Sequence, residues 1–526
     1  MARSAHVDTF SADSLPPREL WPELVFDLPE LQYPERLNCA AELLAGTSPD
    51  RPCLLDAEGT TWTYGEVRAR ADAVAHVLTD DLGLVPGGRV LLRGPNNPWL
   101  VVCWLAVLKA GGVVVTTMPL LRTGELQVVC DMARVGLALC DARFLDDLLP
   151  VTGPVVATYG GDGVDDLLTL LQGKPASYDD VDTAADDVAL LAFTSGTTGK
   201  PKATMHFHRD VLAIADTFSK HVVQPGPDDV FAGSPPLAFT FGLGGLVVFP
   251  LRAGASALLL EKAPPEELFA AVGRHRVTIL FTAPTGYRAA LKRLGDYDVT
   301  SLRRCISAGE ALPRATWEAF HEATGIRIID GIGATEMLHV FISAADDDIR
   351  PGSTGRPVPG FQACVLDDDG RPVPDGTAGR LAVKGPTGCR YLADDRQTTY
   401  VQHGWNITGD TYLRDADGYF WYQARSDDMI ISAGYNVAGP EVEGALLRHP
   451  AVEECAVVGL PDEDRGMVVT AFVVRAADCT AQELQDFVKT QIAPYKYPRV
   501  VHFVDALPKS STGKLQRFQL RARAGS

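Results

Sequence analysis

The sequence predicts an α/β protein: a large N-terminal domain of mostly parallel sheets with a small β subdomain, followed by a small α+β C-terminal domain. Three observations carry this. Through the first four-fifths of the chain, short apolar runs alternate with segments of helical periodicity. From about Ala363 the texture changes to short strands separated by Asp, Gly and Pro turns. Beyond Arg425-Ser426-Asp427-Asp428 about a hundred residues read as one further folding unit.

The elements follow in order. Arg89–Arg93, Val113–Thr117, Gly136–Cys140, Ala189–Thr194, Ala257–Leu260, Thr278–Thr282 and Arg304–Ser307 are apolar at successive positions, as strands buried on both faces must be. Pro265–His275 and Pro313–Thr324 carry apolar residues at helical spacing between them. Trp99–Leu121 is apolar enough to suggest a membrane span, but Lys109 and Gly111-Gly112 divide it into a helix, Trp99–Ala110, and the strand that follows. A small barrel-like β subdomain, about 360–424, is expected from Ala363–Asp367, Gly379–Lys384 and Tyr419–Gln423. Past the boundary, helices Pro440–His449 and Ala481–Ile492 intersperse with strands Ala456–Leu460, Val468–Val474 and Arg499–Val504. The expected domains are therefore 1–426 and 427–526.

Composition narrows the function. The 526 residues carry a net charge of −19, which argues against nucleic acid or an anionic membrane as partner. A chain this acidic that binds a polyanion must concentrate its cations locally. The ten cysteines are scattered without a Cys-x-x-Cys pair, so reduced thiols and a cytoplasmic setting are expected. Met1–Leu20 is polar and Pro-containing, unlike a secretory leader.

The most informative stretch is Thr194-Ser195-Gly196-Thr197-Thr198-Gly199-Lys200-Pro201-Lys202. Two glycines, four hydroxyls and two lysines follow an apolar run, and a helix-like segment is expected after them. Such a loop suits a polyphosphate: glycines permit close approach, while N–H groups, hydroxyls and ammonium groups supply donors and positive potential. Pro201 after Lys200 separates it from the Walker pattern.

Further motifs succeed it. They are Ser307-Ala308-Gly309-Glu310-Ala311, Asp330-Gly331-Ile332-Gly333-Ala334-Thr335-Glu336, Trp405-Asn406-Ile407-Thr408-Gly409-Asp410, Arg425-Ser426-Asp427-Asp428 and Pro508-Lys509-Ser510-Ser511-Thr512-Gly513-Lys514. In this order they resemble the acyl-adenylate-forming superfamily of acyl-CoA ligases, peptide-synthetase adenylation domains and luciferases, over essentially the whole chain. The resemblance implies ATP, Mg2+ and coenzyme A as co-reactants. It places the β- and γ-phosphates on Thr194, Ser195, Gly196, Thr197, Thr198, Gly199 and Lys202, and adenine between Gly309, Glu310, Ala311 and Asp330, Gly331, Ile332. Thr335 would meet the α-phosphate, Glu336 the magnesium, Asp410 the ribose hydroxyls, and Arg425 the ribose or a phosphate. Lys514 would be the catalytic lysine, Asp427 the hinge on which a mobile C-terminal domain swings to deliver it, and Gly434 with Tyr435 part of the pantetheine tunnel. Ile431, where many relatives carry lysine, and Ala203, where glycine is common, depart from the pattern.

A finer resemblance, to benzoate- and 2-aminobenzoate–CoA ligases, rests on Met205-His206-Phe207-His208-Arg209-Asp210, Pro236–Gly245, Ile332–His339 and Asp27–Pro34. It implies an aromatic carboxylate, anthranilate first, with benzoate, salicylate or a bulkier aryl acid as alternatives. A stand-alone enzyme loading an aryl acid onto a carrier protein is the other reading. Phe239, Phe241, Gly245, Gly333 and His339 would line the acyl pocket, although both phenylalanines equally suit a core. His339 would hydrogen-bond an ortho substituent or be a satisfied buried histidine; His206 and His208 would touch ligand or serve packing. A monomer or homodimer is expected.

Overall fold

A computed structural model describes residues 3–194, 201–425, 428, 430–432, 435–462, 466–492, 496–509 and 515–524. Its six-stranded sheet runs in the order Val155–Tyr159, Leu137–Asp141, Arg89–Arg93, Val113–Thr117, Val188–Thr194, Lys202–Phe207. All neighbours are parallel except the last pair. The apolar stretch after residue 97 is the helix Pro98–Lys109, started by the Asn97 side chain accepting from the Leu100 N–H at 3.0 Å. Lys109 at its end is buried and paired with Asp72 at 3.0 Å and Asp180 at 2.6 Å. No helix among the described residues is long and apolar enough to cross a membrane.

The nine-stranded sheet is parallel through its middle, where Ile328–Gly333, Arg304–Ala308, Ile279–Thr282, Val230–Gly233, Ser256–Leu258 and Pro52–Leu55 lie side by side. Antiparallel strands close both edges: Val340–Ser343 and Arg356–Pro357 on one, Thr61–Thr63 on the other. One buried cluster joins the two sheets through Leu92, Val114, Phe231, Ile279 and Ile306, with the Pro98–Lys109 helix between them. The ten cysteines are all free, and eight of them are buried.

Two expectations are corrected. The segment after the Gly-rich loop is not helical: Lys202–Phe207 is a strand that returns antiparallel onto Val188–Thr194, with Thr194 opposite Lys202. Pro201 has no N–H to continue a helix, and buried Thr204, Met205 and Phe207 suit a strand better. Helix His208–Ile214 starts only after it, so no helix N-terminus follows the loop directly. The β subdomain is an open antiparallel sheet, not a closed barrel. It orders Gln362–Leu366, Ala378–Lys384, Trp405–Arg414 and Val401–Gln402, with Phe420–Arg425 also on Trp405–Arg414. Among the described residues no pairing closes it, although irregularities at Arg380/Ala382 and Thr411/Tyr412 bend it.

The smaller C-terminal domain has its own sheet: Tyr435–Val437, Ile430–Ser432, Gly466–Arg475 and Val452–Asp462, with Val500–Phe503 parallel to Gly466–Arg475. Helices Gly439–Leu446 and Ala481–Gln491 pack Val442, Leu446, Leu484 and Val488 against Val457, Val469 and Val473. Thr480 and Glu483 form a reciprocal cap at the second helix.

A wholly buried ion pair ties the β subdomain to the six-stranded sheet. The Arg390 guanidinium meets the Asp210 carboxylate and stacks 4.0 Å from the Phe207 ring centre. Burial works against the Asp210 charge, but Arg390 and the nearby His206 outweigh it and hold the carboxyl below its ordinary range. Asp210→Asn leaves the buried guanidinium uncompensated. A loss of about 3–5 kcal/mol is expected, read as an earlier urea transition by tryptophan fluorescence.

Candidate active site

The parallel register brings the adenine-side motifs together. Ser307 stands opposite Asp330 and Ala308 opposite Gly331, so the loops leaving both strands open on one sheet end, where α/β ligand sites form. Gly309 at the first exit has φ +90°, a left-handed turn that favours glycine. Gly331 leaves no room for a side chain, since a Cβ there would lie 2.7 Å from Val340 Cγ1.

Thr335 and Glu336 sit on the tip of a hairpin between Ile328–Gly333 and Val340–Ser343. The reversal needs Leu338 at φ +67°, an unfavourable conformation for leucine. Donors from two parts of the chain, the strand Lys202–Phe207 and the segment 387–391, clamp this tip. His206 Nε2 donates to the Thr335 carbonyl at 2.8 Å, and Thr387 Oγ1 to the Met337 carbonyl at 2.8 Å. The Tyr391 O–H donates to Glu336 Oε1 at 2.6 Å, and Lys202 Nζ lies 2.7 Å from the same oxygen. Lys202 also donates to the Tyr391 hydroxyl and sits 4.6 Å from its ring centre.

Glu336 is buried, at 6% exposure. Burial would raise its carboxyl, but the Lys202 ammonium and the Tyr391 hydrogen bond outweigh that and keep it below the ordinary range. An ionised carboxylate in a dry site suits a hard cation. Among the described residues no group of three or more His, Cys, Asp and Glu side chains is arranged to hold a metal. A cation at Glu336 would take its other ligands from phosphate oxygens and water, which is how magnesium is commonly held. Thr194 Oγ1, on the residue paired with Lys202 across the two strands, is enclosed and has no hydrogen-bond partner among the described residues.

Asp410 and Arg425 are cross-strand partners, with Arg425 Nη1 3.1 Å from Asp410 Oδ1. Gly409, at φ +77°, lets the guanidinium lie close: a Cβ there would be 3.2 Å from Nη2.

On the acyl side, half-buried Phe241 packs 5.5 Å from Phe281 and 5.6 Å from His339 between ring centres. Phe218 and Phe249 enclose the same histidine at 5.3 and 4.7 Å. Gly244 and Gly245, in a π-type turn, admit these rings, since Cβ atoms there would lie 2.4 Å from His339 and 2.6 Å from Phe281. Neither buried His339 ring nitrogen makes a well-formed hydrogen bond among the described residues, and burial lowers the imidazole to about 3 against an opposing hydrogen-bonding influence of the Phe241 backbone. Phe239 makes no ring contact among the described residues and precedes the short helix Thr240–Leu243. Gly333 crowds the His339 carbonyl, 2.7 Å from where its Cβ would stand.

Of the remaining expected residues, Ser195, Gly196, Thr197, Thr198, Gly199, Asp427, Gly434 and Lys514 lie outside the described residues. Tyr435 begins the strand Tyr435–Val437. Lys509 and Leu515, which flank the Lys514 segment, are bridge partners. Lys509 is held by Glu454 at 2.9 Å, and Glu454 reaches Arg288 of the large domain at 3.3 Å. His208 is core: its Nδ1 accepts from the Cys39 N–H at 3.2 Å, and burial lowers it to about 3. Tyr391, Thr387 and Asn96 were not singled out by sequence. Asn96 pins the acyl-side loop through the Pro235 carbonyl and the Leu237 N–H, at 3.0 and 2.8 Å. No local pattern marks them, because each acts across more than 45 residues.

Residues 42–391 match the family model described as AMP-binding enzyme, and 441–514 the AMP-binding enzyme C-terminal domain. The benzoate–CoA ligase of Thauera aromatica is 35% identical, covering 94% of this chain and 97% of that protein. The 3-hydroxybenzoate–CoA ligase of Aromatoleum sp. (strain CIB) is 32% identical over 92% and 96%. A solved anthranilate CoA ligase in complex with anthranoyl-AMP superposes with a TM-score of 0.90 at 33% identity, over 95% of this chain and 99% of that one. The chain belongs to the AMP-binding enzyme family, in its aryl-CoA ligase branch. It is an AMP-forming acid–thiol ligase that works with ATP, Mg2+ and CoA.

The Asp330 carboxyl is enclosed although its backbone is partly exposed, and burial pushes it up to about 8, beyond what the Ser307 hydroxyl and Gly331 N–H offset. The folded protein thus keeps a proton that the unfolded chain releases. This group's contribution is fully present below about pH 4 and is lost as pH climbs toward 8. Asp330→Asn removes that loss. Its urea midpoint, relative to the unchanged protein, is expected to rise between about pH 5 and about pH 8.5.

Proposed function

We propose that the chain activates a small aromatic acid, anthranilate first among them, as its adenylate and transfers it to the CoA thiol. A carboxylate is a poor acyl donor because oxide would have to leave. Attack on the α-phosphorus of ATP expels pyrophosphate and gives a mixed anhydride, whose leaving group is AMP. The thiolate then attacks the acyl carbon and AMP departs. Two anions meet in the first step, so charge neutralisation is its largest requirement. One ammonium group about 4 Å away supplies roughly 4 kcal/mol at an effective dielectric near 20.

In this reading the loop from Thr194 to Lys202 holds the outer phosphates, Thr335 meets the α-phosphate and Asp410 accepts the ribose hydroxyls. Glu336 would hold magnesium, which supplies neutralisation of the phosphate oxygens when bound. Lys514 is delivered from the C-terminal domain by movement at Asp427, and the tie through Lys509, Glu454 and Arg288 supports an arrangement that keeps its flanks on the large domain. Gly434 would border the thiol's path. Lys514→Ala is expected to lose most of its adenylation, at least about a hundredfold. Conversion of preformed aryl-AMP to thioester should continue; equal loss of both half-reactions would remove the assigned role.

The observation that carries the choice of acid is His339. A buried neutral imidazole with neither nitrogen in a well-formed hydrogen bond among the described residues, ringed by Phe218, Phe241 and Phe249, offers an aromatic acid both ring contacts and a hydrogen bond. The test is an acid panel scored by acid-dependent pyrophosphate release with and without CoA. Anthranilate is expected to lead. His339→Leu should cost anthranilate about tenfold or more in kcat/KM and benzoate far less. An equal loss for both acids would reduce the histidine to packing.

A further inference from the structure

Tyr391 has no part in the adenylation chemistry above, yet it is built into the site with unusual care. Its segment lies along the strand Lys202–Phe207: the Met205 N–H donates to the Arg390 carbonyl at 2.8 Å and the Leu392 N–H to the Ala203 carbonyl at 2.9 Å. The Tyr391 N–H donates to Gln397 Oε1 at 2.9 Å. Gln397 is fixed in turn by donating to the Leu20 and Cys389 carbonyls at 2.8 and 3.1 Å. The ring is 1% exposed and meets Tyr400 edge-on, centres 5.8 Å apart. A phenol held this firmly has one orientation available to its hydroxyl carbon.

That hydroxyl donates to Glu336 Oε1, the oxygen that Lys202 also reaches. The phenol and the closest approach of the ammonium group therefore both fall on Oε1 of the carboxylate. We propose that Tyr391 is a positioning residue for the metal-binding carboxylate: by anchoring Oε1 from the β subdomain, it turns Glu336 so that Oε2 would be the oxygen left to hold a divalent cation. The proposal rests on the reading of Glu336 as the magnesium ligand. It also gives the β subdomain a task at the site, since residues 389–392 carry the phenol from that subdomain to the sheet that holds Lys202.

The test uses the full chain with Mn2+ as probe and α,β-methylene-ATP, whose methylene bridge prevents pyrophosphate from leaving. Free Mn2+ is followed by electron paramagnetic resonance, and binding of the analogue alone is measured in EDTA. Tyr391→Phe keeps the ring and its packing. It is expected to weaken Mn2+ in the analogue complex by about tenfold, the usual scale for loss of an outer partner of a metal ligand, while metal-free analogue binding changes less than about twofold. In a Glu336→Gln background the same change should add nothing. If Glu336→Gln weakens Mn2+ and Tyr391→Phe does not, the positioning role is overturned and the ligand reading survives. If metal-free binding falls as far as metal binding, the phenol serves only packing and the proposal fails. If Glu336→Gln itself leaves Mn2+ affinity unchanged, the ligand reading falls and takes this proposal with it.

Discussion

The contact among Lys202, Glu336 and Tyr391 is the constraint on which the site depends. Three distant parts of the chain meet there: the strand after the Gly-rich loop, the hairpin tip after Gly333, and a segment of the β subdomain. A carboxylate buried to 6% exposure without a cation would be costly, and removing one partner of such a pair leaves an uncompensated charge. The ammonium group makes burial tolerable, and the phenol fixes which way the carboxylate turns. Each element is thereby held in register with the others.

The surrounding architecture serves that convergence. The buried Arg390–Asp210 pair lies next to Tyr391 in sequence and next to His206 in space, so the element that holds the carboxylate is itself anchored to the element that holds the Thr335 carbonyl. His206, weighed from sequence as a ligand contact, instead acts on the main chain of the nucleotide-side hairpin. The left-handed Leu338 shows the local cost of the arrangement: the chain reverses tightly enough to place Thr335 and Glu336 at the tip and His339 immediately behind, among the aromatic rings. The residues proposed for nucleotide chemistry and for acid recognition are thus separated by only three positions of one turn.

The acyl side follows from packing rather than from polar design. Gly244 and Gly245 allow rings to approach a helix at distances any side chain would forbid, and the resulting aromatic cage leaves His339 without a well-formed hydrogen bond among the described residues. A neutral imidazole in such a cage discriminates chiefly by what it can hydrogen-bond, since an apolar wall alone separates similar acids weakly. This links the small-residue pattern of one helix to the preference expected among benzoate-like acids.

The α/β class, the parallel strands and most element positions were legible in the sequence, because consecutive apolar runs and 3.6-residue periodicity are local signals. Pro265–His275 and Val113–Thr117 fall where the pattern puts them. The motif series also singled out Thr335, Glu336, Asp410 and Arg425; the fold sets the first two on one hairpin tip and the last two opposite each other on adjacent strands. The strand at Lys202–Phe207 was missed because a loop followed by polar and apolar residues fits helix or hairpin equally until a partner strand is known. The open β sheet was misjudged for the same reason, since closure depends on pairing between distant edges. Tyr391, Thr387 and Asn96 carry no local mark at all. The sequence by itself determined which chemical groups the chain possesses and the order of its elements; only the tertiary structure decided that one phenol and one ammonium group meet at a single carboxylate oxygen, because side-chain contacts across more than fifty residues are set by how sheets and hairpins stack, not by spacing along the chain.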